Sequence, residues 1–158
     1  MNYYSIRADL IYDYRQEFEV IFGFGVNPDI QFISDKAWAY AVAGSYGKEE
    51  KGIGYHFCDD EKILDVNRQF LGHDYYTDII TFDYSSGNAI SGDLYISLDT
   101  VLSNSVLFRT EYGTELYRVM IHGVLHLCGI NDKGPGERAV MEAAEDRALE
   151  LLFKMTGK

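Results

Sequence analysis

The sequence predicts an α+β domain, a small sheet covered by helices with a two-histidine helix at its centre. Three observations carry that expectation. Residues 77–84 and 92–97 are the strongest strand signals, β-favouring runs bordered by glycine- and serine-containing turns, and their spacing lets them pair as a hairpin with a longer loop. Helical periodicity lies on both sides of this pair. One of those helices, over 111–128, carries Leu116, Val119, Met120, Val124, Leu125 and Leu127 around much of its girth, the pattern of a helix buried at the centre of a domain.

Size and composition set the bounds. At 158 residues, one domain over 1–158 is expected, with 1–50 its least assigned stretch. A chain of this length buries roughly 70% of its unfolded surface, enough for a sizeable core. No apolar run approaches the ~18 residues of a membrane span. The N-terminus lacks the basic, apolar and small-residue regions of a secretory leader. Cys58 and Cys128 make no disulfide framework, so a reducing cytoplasm is expected. The net charge is −11, which excludes a global attraction for polyanions. A nucleic-acid substrate would need a local basic groove or a partner to overcome that field.

In chain order, residues 1–26 show no clean period, and Asn27, Pro28 and Asp29 form a turn signal. Residues 31–33 read as a short entering strand. Ser34 or Asp35 caps a helix over 36–46 that Gly47 stops, with Ala37, Trp38, Ala41 and Val42 at helical spacing. Residues 48–51 read as a solvated turn, and 52–58 as a strand through Ile53, Tyr55 and Phe57. His56 is out of phase with those residues and reads as a surface or core histidine. Asp59 or Asp60 caps the next helix, with Ile63, Leu64, Asn67, Phe70 and Leu71 on one face and Gly72 at its end. After the two strong strands, Asp99 or Thr100 starts a short helix through Phe108. Beyond the central helix, 133–136 makes a rigid loop, and Pro135 suits the first turn of a last helix over 137–154. Its stripe is Val140, Met141, Ala144, Ala148, Leu151 and Leu152. Its acidic outer face reads as solvated surface.

The chemistry gathers in one stretch, where His122, His126, Gly129 and Asp132 stand at His-x-x-x-His-x-x-Gly-x-x-Asp spacing. Positions four apart share a helix face, so both imidazoles can point at one spot. Gly129 can take the left-handed backbone that ends a helix, and the reversed chain can return Asp132 to the same spot. Two imidazole nitrogens and a carboxylate oxygen form an open zinc site with a fourth position left over. Buried structural histidines are the plainer reading of one such residue. Two on one apolar face, unpaired, would cost roughly 1–3 kcal/mol each, and a metal satisfies both. Cys128 is turned about 200° from His126 and reads as core-facing. The spacing is close to the metzincin frame. That frame carries a glutamate general base directly after its first histidine, where this chain has Gly123, which argues against a peptidase.

The run His-Gly-x-Leu-His-Leu-x-Gly at 122–129 resembles the signature of the YbeY family, the metal-dependent endoribonucleases of ribosomal RNA maturation. Segments 63–67 leading to Phe70, 77–82 and 92–97 resemble the same family in the same order, so the resemblance runs from about residue 52 to the C-terminus. It implies a mixed, roughly four-stranded sheet with helices, and a metal in a cleft at the end of a zincin-like two-histidine helix. It further implies single-strand-favouring RNA cleavage in ribosomal RNA processing, notably at the 3′ end of the small-subunit RNA, and in ribosome quality control. Two departures matter. The family usually ends its signature in Gly-Tyr-Asp-His, which puts a third histidine where this chain has Asp132 and an aspartate where it has Asn131. A carboxylate is an acceptable zinc ligand, and its extra charge makes a bound water less acidic. An arginine implicated in the family's activity stands where this chain has Leu71, and Arg68 is the residue expected to take over its phosphate contact.

The expected site is therefore a metal held by His122, His126 and Asp132, zinc first, with nickel, iron or manganese also compatible. Arg68 and Asp93 are the expected catalytic residues, with Asp93 and Asp78 positioned to orient the histidines. No side chain is an obvious general base. Tyr75 and Tyr76 are available to stack on unpaired bases. The expected partners are precursor ribosomal RNA and basic proteins of the small ribosomal subunit, without a membrane, and with the oligomeric state left open. The rival expectations are a zinc peptidase-like hydrolase and a ribosome-assembly binding factor whose metal is structural.

Overall fold

A computed structural model describes residues 4–7, 28–73 and 77–156. In chain order the elements are β1 (Tyr4–Arg7), α1 (Pro28–Ser45), β2 (Glu49–Cys58), α2 (Asp60–Val66) continued by a π-helical turn (Asn67–Leu71), β3 (Ile79–Asp83), β4 (Ala89–Ser97), α3 (Leu98–Phe108), α4 (Tyr112–Leu127) and α5 (Glu137–Thr156). The class is α+β, as expected. The sheet runs β1-β2-β4-β3, with β2 and β4 parallel and the other pairs antiparallel, so it is mixed. The expected hairpin is β3–β4, closed by a turn in which Ser86 and Ala89 exchange backbone hydrogen bonds.

Strand side chains alternate between faces, and the two faces of this sheet have different tasks. Ile53, Tyr55 and Phe57 of β2 join Ile90, Leu94 and Ile96 of β4 on one face, packed with Trp38 and Val42 of α1 and the buried residues of α4 and α5. On the other face a smaller cluster forms from Cys58, Ile63, Val66 and Ile80, with Phe82 and Tyr95 against it. Helix α4 lies deepest. Its residues Leu116, Val119, Met120, Ile121, Gly123, Val124, Leu125 and Leu127 are all buried, as the girdling apolar pattern predicts. Gly123 lies close against the sheet: a Cβ there would stand 2.8 Å from Leu94 Cδ1 and 2.9 Å from Ile79 Cδ1.

Several boundaries differ from the sequence reading. Residues 31–33 lie inside α1, not in a strand, because the helix starts at Pro28. Proline is pre-organised for the first helical position, so the turn signal marks a helix start. Residues 49–51, read as a solvated turn, begin β2, which carries a register shift between Glu50 and Ile53. Asp59 caps α2 by accepting from the Lys62 N–H at 2.8 Å. Ser97, not Asp99 or Thr100, caps α3. Phe70 is 65% exposed, and Leu71 is exposed beside it. The wider π-turn from Asn67 rotates them off the face that α2 buries, so the even helical spacing breaks down there. On α5, Val140 faces solvent and Leu149 is buried in its place. Pro135 sits in the turn before α5, ahead of its first turn.

Among the described residues, no helix is long and apolar enough to cross a membrane. Both thiols are buried, and burial pushes Cys58 up to about 12 and Cys128 up to about 11. Cys128 is thus a core thiol, as its angle on the helix predicts. The expected stacking residues Tyr75 and Tyr76 lie outside the described residues.

Candidate metal centre

The last turns of α4 and the loop that follows bring three side chains together. His122 and His126 share one face of the helix, rings edge-on with centroids 4.8 Å apart. The helix ends as the sequence predicts. Gly129 takes φ 98°, and the Ile130 N–H turns back to the Leu125 carbonyl at 3.1 Å. That reversal returns Asp132, whose Oδ2 lies 3.4 Å from His122 Nε2 and whose Oδ1 lies 3.4 Å from His126 Nε2. One ligating atom from each residue falls within 4.8 Å of the other two.

Whether these residues suit a metal can be judged from Asp132 itself. Its Oδ1 is buried and has no hydrogen-bond partner among the described residues. A buried carboxylate oxygen left unpaired carries its full desolvation cost. Two imidazole nitrogens and a carboxylate oxygen, converging with one such orphaned atom, fit an open divalent site.

A fourth residue orients the set, and the sequence reading missed it. His122 Nδ1 stands 2.7 Å from Glu145 Oε2. With Nδ1–H donating to that carboxylate, Nε2 keeps its lone pair toward Asp132, the arrangement in which a carboxylate fixes the tautomer of a ligating histidine. Glu145 projects from α5 and is only 6% exposed. Arg118 of α4 holds it from the other side, with Nη1 donating to Glu145 Oε1 at 2.9 Å and Nη2 to Asp146 Oδ1 at 2.7 Å. The acidic face of α5 is therefore not all solvated. The signal was in the spacing: Glu145 is in phase with Met141, Ala144 and Ala148, the apolar stripe of its own helix.

The electrostatics differ between the two histidines. Burial pulls His122 down, but the Glu145 hydrogen bond and charge, with Asp132 and Asp78, leave it raised overall. Burial and the neighbouring His122 lower His126. Asp78 is raised by burial, with His122 partly offsetting the effect. It contributes to the walls of both cavities that flank the triad, one of ≈540 Å³ between α3, α4 and α5 and one of ≈510 Å³ toward β3 and the π-turn. Both also include His122 and Asp132. His73 and Lys133, singled out by no sequence signal, line the second cavity.

The other two expected site residues lie elsewhere. Asp93 follows Gly92 and precedes Leu94, both turned toward α4, so strand alternation sends its side chain to the opposite sheet face. There its Oδ1 lies 2.9 Å from His56 Nε2, and His56 stacks on Tyr95 at 4.4 Å. Asp93 is thus paired with His56, on the sheet face away from His122 and His126. Gly54 makes room for that pair, since a Cβ there would meet both Asp93 and His56. Arg68 is exposed on the π-turn and lines neither cavity, whereas Asn67 and Leu71 line the second.

The sequence profile described as Endoribonuclease YbeY matches residues 28–152, from the start of α1 into the last turns of α5. The chain belongs to the YbeY family. A Parabacteroides distasonis protein named Endoribonuclease YbeY is 63% identical over 125 residues, 79% of this chain and 88% of that protein. One of the same name from Porphyromonas gingivalis is 52% identical over 120 residues, 76% and 80% of the two chains. A Thermotoga maritima protein solved in solution shares the fold, with a TM-score of 0.58 at 23% identity over 83% of this chain and 86% of that one. The YbeY match holds the His122, His126 and Asp132 cluster and the Glu145 that orients it, while the first 27 residues fall outside it.

Proposed function

We propose that this chain is a metal-dependent endoribonuclease that cleaves single-stranded RNA in ribosomal RNA maturation, with residues 1–158 acting as one metal-hydrolase domain. The observation that supports this most is the convergence of His122, His126 and the orphaned Asp132 Oδ1 on a YbeY scaffold. These three residues would hold one divalent ion, zinc first by ligand chemistry. Such an ion supplies Lewis-acid polarisation of a phosphoryl oxygen and a nucleophilic water at neutral pH.

The chain's own groups do the rest. Glu145 keeps His122 in the tautomer that presents Nε2, and Arg118 keeps Glu145 in place. Asp78, in the walls of both cavities with its carboxyl raised by burial, is the group placed to hold a proton near the reacting phosphate. Lys133 and His73 line the second cavity beside Asp78, Asp83 and Asp132, and Lys133 is the cation there that can meet a phosphate of the strand. The proposed substrate is precursor RNA of the small ribosomal subunit, cut toward its 3′ end in the cytoplasm. The acidic surface favours docking on the basic proteins of that subunit. The peptidase reading is disfavoured because position 123 has no room for a base beside the sheet.

The test is cleavage by the purified protein of an unstructured RNA, the same RNA in a duplex, and a peptide library. Cutting of the unstructured RNA alone, lost on chelation and restored by zinc, is the expected result. Chelator-resistant RNA cleavage, or cleavage of peptides in place of RNA, would defeat the proposal.

A further inference from the structure

The cavity between α3, α4 and α5 has a composition that the metal centre alone does not use. At ≈540 Å³ it is within the roughly 300–1,000 Å³ usual for a small-ligand site, and its wall includes His122 and Asp132. Anything it holds lies beside the metal position. The second cavity includes the same two residues from the other side. A single strand whose scissile phosphate sits at the triad therefore has one cavity on each side of the cut.

Two features indicate what the first cavity takes. Phe108, at the end of α3, lies in the wall of the cavity yet is 59% exposed. It is held there by the tight end of α3, where Arg109 adopts φ 56° and its N–H returns to the Val106 carbonyl at 3.3 Å. An exposed aromatic ring is a platform on which an unpaired base can stack. Glu115, seven residues before His122 and so on the same face of α4, is 7% exposed, and its carboxylate makes no side-chain hydrogen bond among the described residues. The two arginines of the cavity are already engaged, Arg118 with Glu145 and Asp146, and Arg138 with Glu142. The free capacity of the cavity is thus for a flat aromatic group carrying N–H donors, not for a phosphate.

We infer that this cavity is a subsite for one unpaired nucleotide next to the scissile phosphate, its base stacked on Phe108 and an exocyclic amino group of that base facing the Glu115 carboxylate. This rests on the endoribonuclease reading and adds to it the base class on one side of the cut. Adenine, guanine and cytosine carry such an amino group and uracil does not, so the subsite discriminates cytosine from uracil, which are otherwise nearly the same shape.

The test uses a single-stranded RNA of defined cleavage site, with an abasic residue or a cytosine-to-uracil exchange placed on either side of it. Wild type, Phe108→Ala and Phe108→Tyr are compared in cleavage by the zinc-loaded protein and in binding by the chelated protein. On one side of the cut only, the abasic residue is expected to cost wild type about tenfold or more in both readouts. Uracil there is expected to be several-fold poorer than cytosine. Phe108→Ala should lose a similar factor on intact RNA and nothing further on abasic RNA, and Phe108→Tyr should restore it. Wild-type cleavage with Phe108→Ala unchanged, with the abasic penalty intact in Phe108→Ala, or with no preference for cytosine, overturns the subsite alone. Absence of RNA cleavage by wild type overturns the endoribonuclease reading and the subsite with it.

Discussion

Replacing His126 with alanine is expected to abolish metal binding and RNA cleavage together while leaving the fold standing. The ring is partly exposed at the end of α4, where it meets His122 edge-on and stands 3.4 Å from Asp132. Removing it takes away one of three ligands and leaves Asp132 Oδ1 without its nearest polar neighbour. Loss of a residue that only orients a ligand typically costs roughly 10–100-fold in metal affinity. Loss of the ligand itself should exceed that, so His126→Ala is expected to fall more than about 100-fold in zinc affinity. Glu145→Gln belongs to the milder class. It retains an acceptor for His122 Nδ1–H but loses the charge, and should weaken zinc by about tenfold with RNA cleavage reduced in step. Titration calorimetry with zinc, run beside a cleavage assay and a thermal melt, reads all three quantities. Zinc bound by His126→Ala as tightly as by wild type would contradict the assignment.

Gly123→Glu is expected to destabilise the protein by about 4 kcal/mol or more, enough to unfold most of a chain with ordinary stability. The position directly follows the first histidine, where metzincins carry their general base. Here it faces the sheet, and the first added carbon already stands 2.8 Å from Leu94 and 2.9 Å from Ile79. A carboxylate beyond that carbon would be buried among aliphatic side chains without a partner. Gly123→Ala separates crowding from charge. It should lose only about 1–3 kcal/mol from overpacking, less what alanine gains over glycine in helix propensity. Urea unfolding of the three proteins checks the order. A stable Gly123→Glu protein would mean that α4 can lift from the sheet, and the steric argument against a peptidase would fail.

What was legible in the sequence depended on whether the signal was local. The central helix, its glycine stop and the return of Asp132 follow from 3.6-residue spacing and from the backbone freedom of Gly129, and the structure has all three. The β3–β4 pair was legible because alternation and turn residues lie within one short stretch. The π-turn at Asn67 was not, because one extra residue per turn leaves no compositional mark, yet it moves Phe70 and Leu71 out of the core. The direction of Asp93 was not legible for a related reason. The residue lies on a strand beside the site, but which face it points to depends on a one-residue phase that only the packing of Gly92 and Leu94 against α4 decides. Glu145 was the costliest omission. Its helix looked like an amphipathic cover with an acidic outside, and a carboxylate on the inner stripe has a purpose only once His122, 23 residues away, is seen to meet it.

The central claim is that His122, His126 and Asp132 hold the ion. It is tested most directly by crystals grown with zinc and measured on both sides of the zinc absorption edge. The account predicts one anomalous peak in contact with both Nε2 atoms and an Asp132 oxygen, with His122 Nδ1 still bonded to Glu145. A peak that leaves Asp132 out, or that lies away from the two histidines, would contradict it.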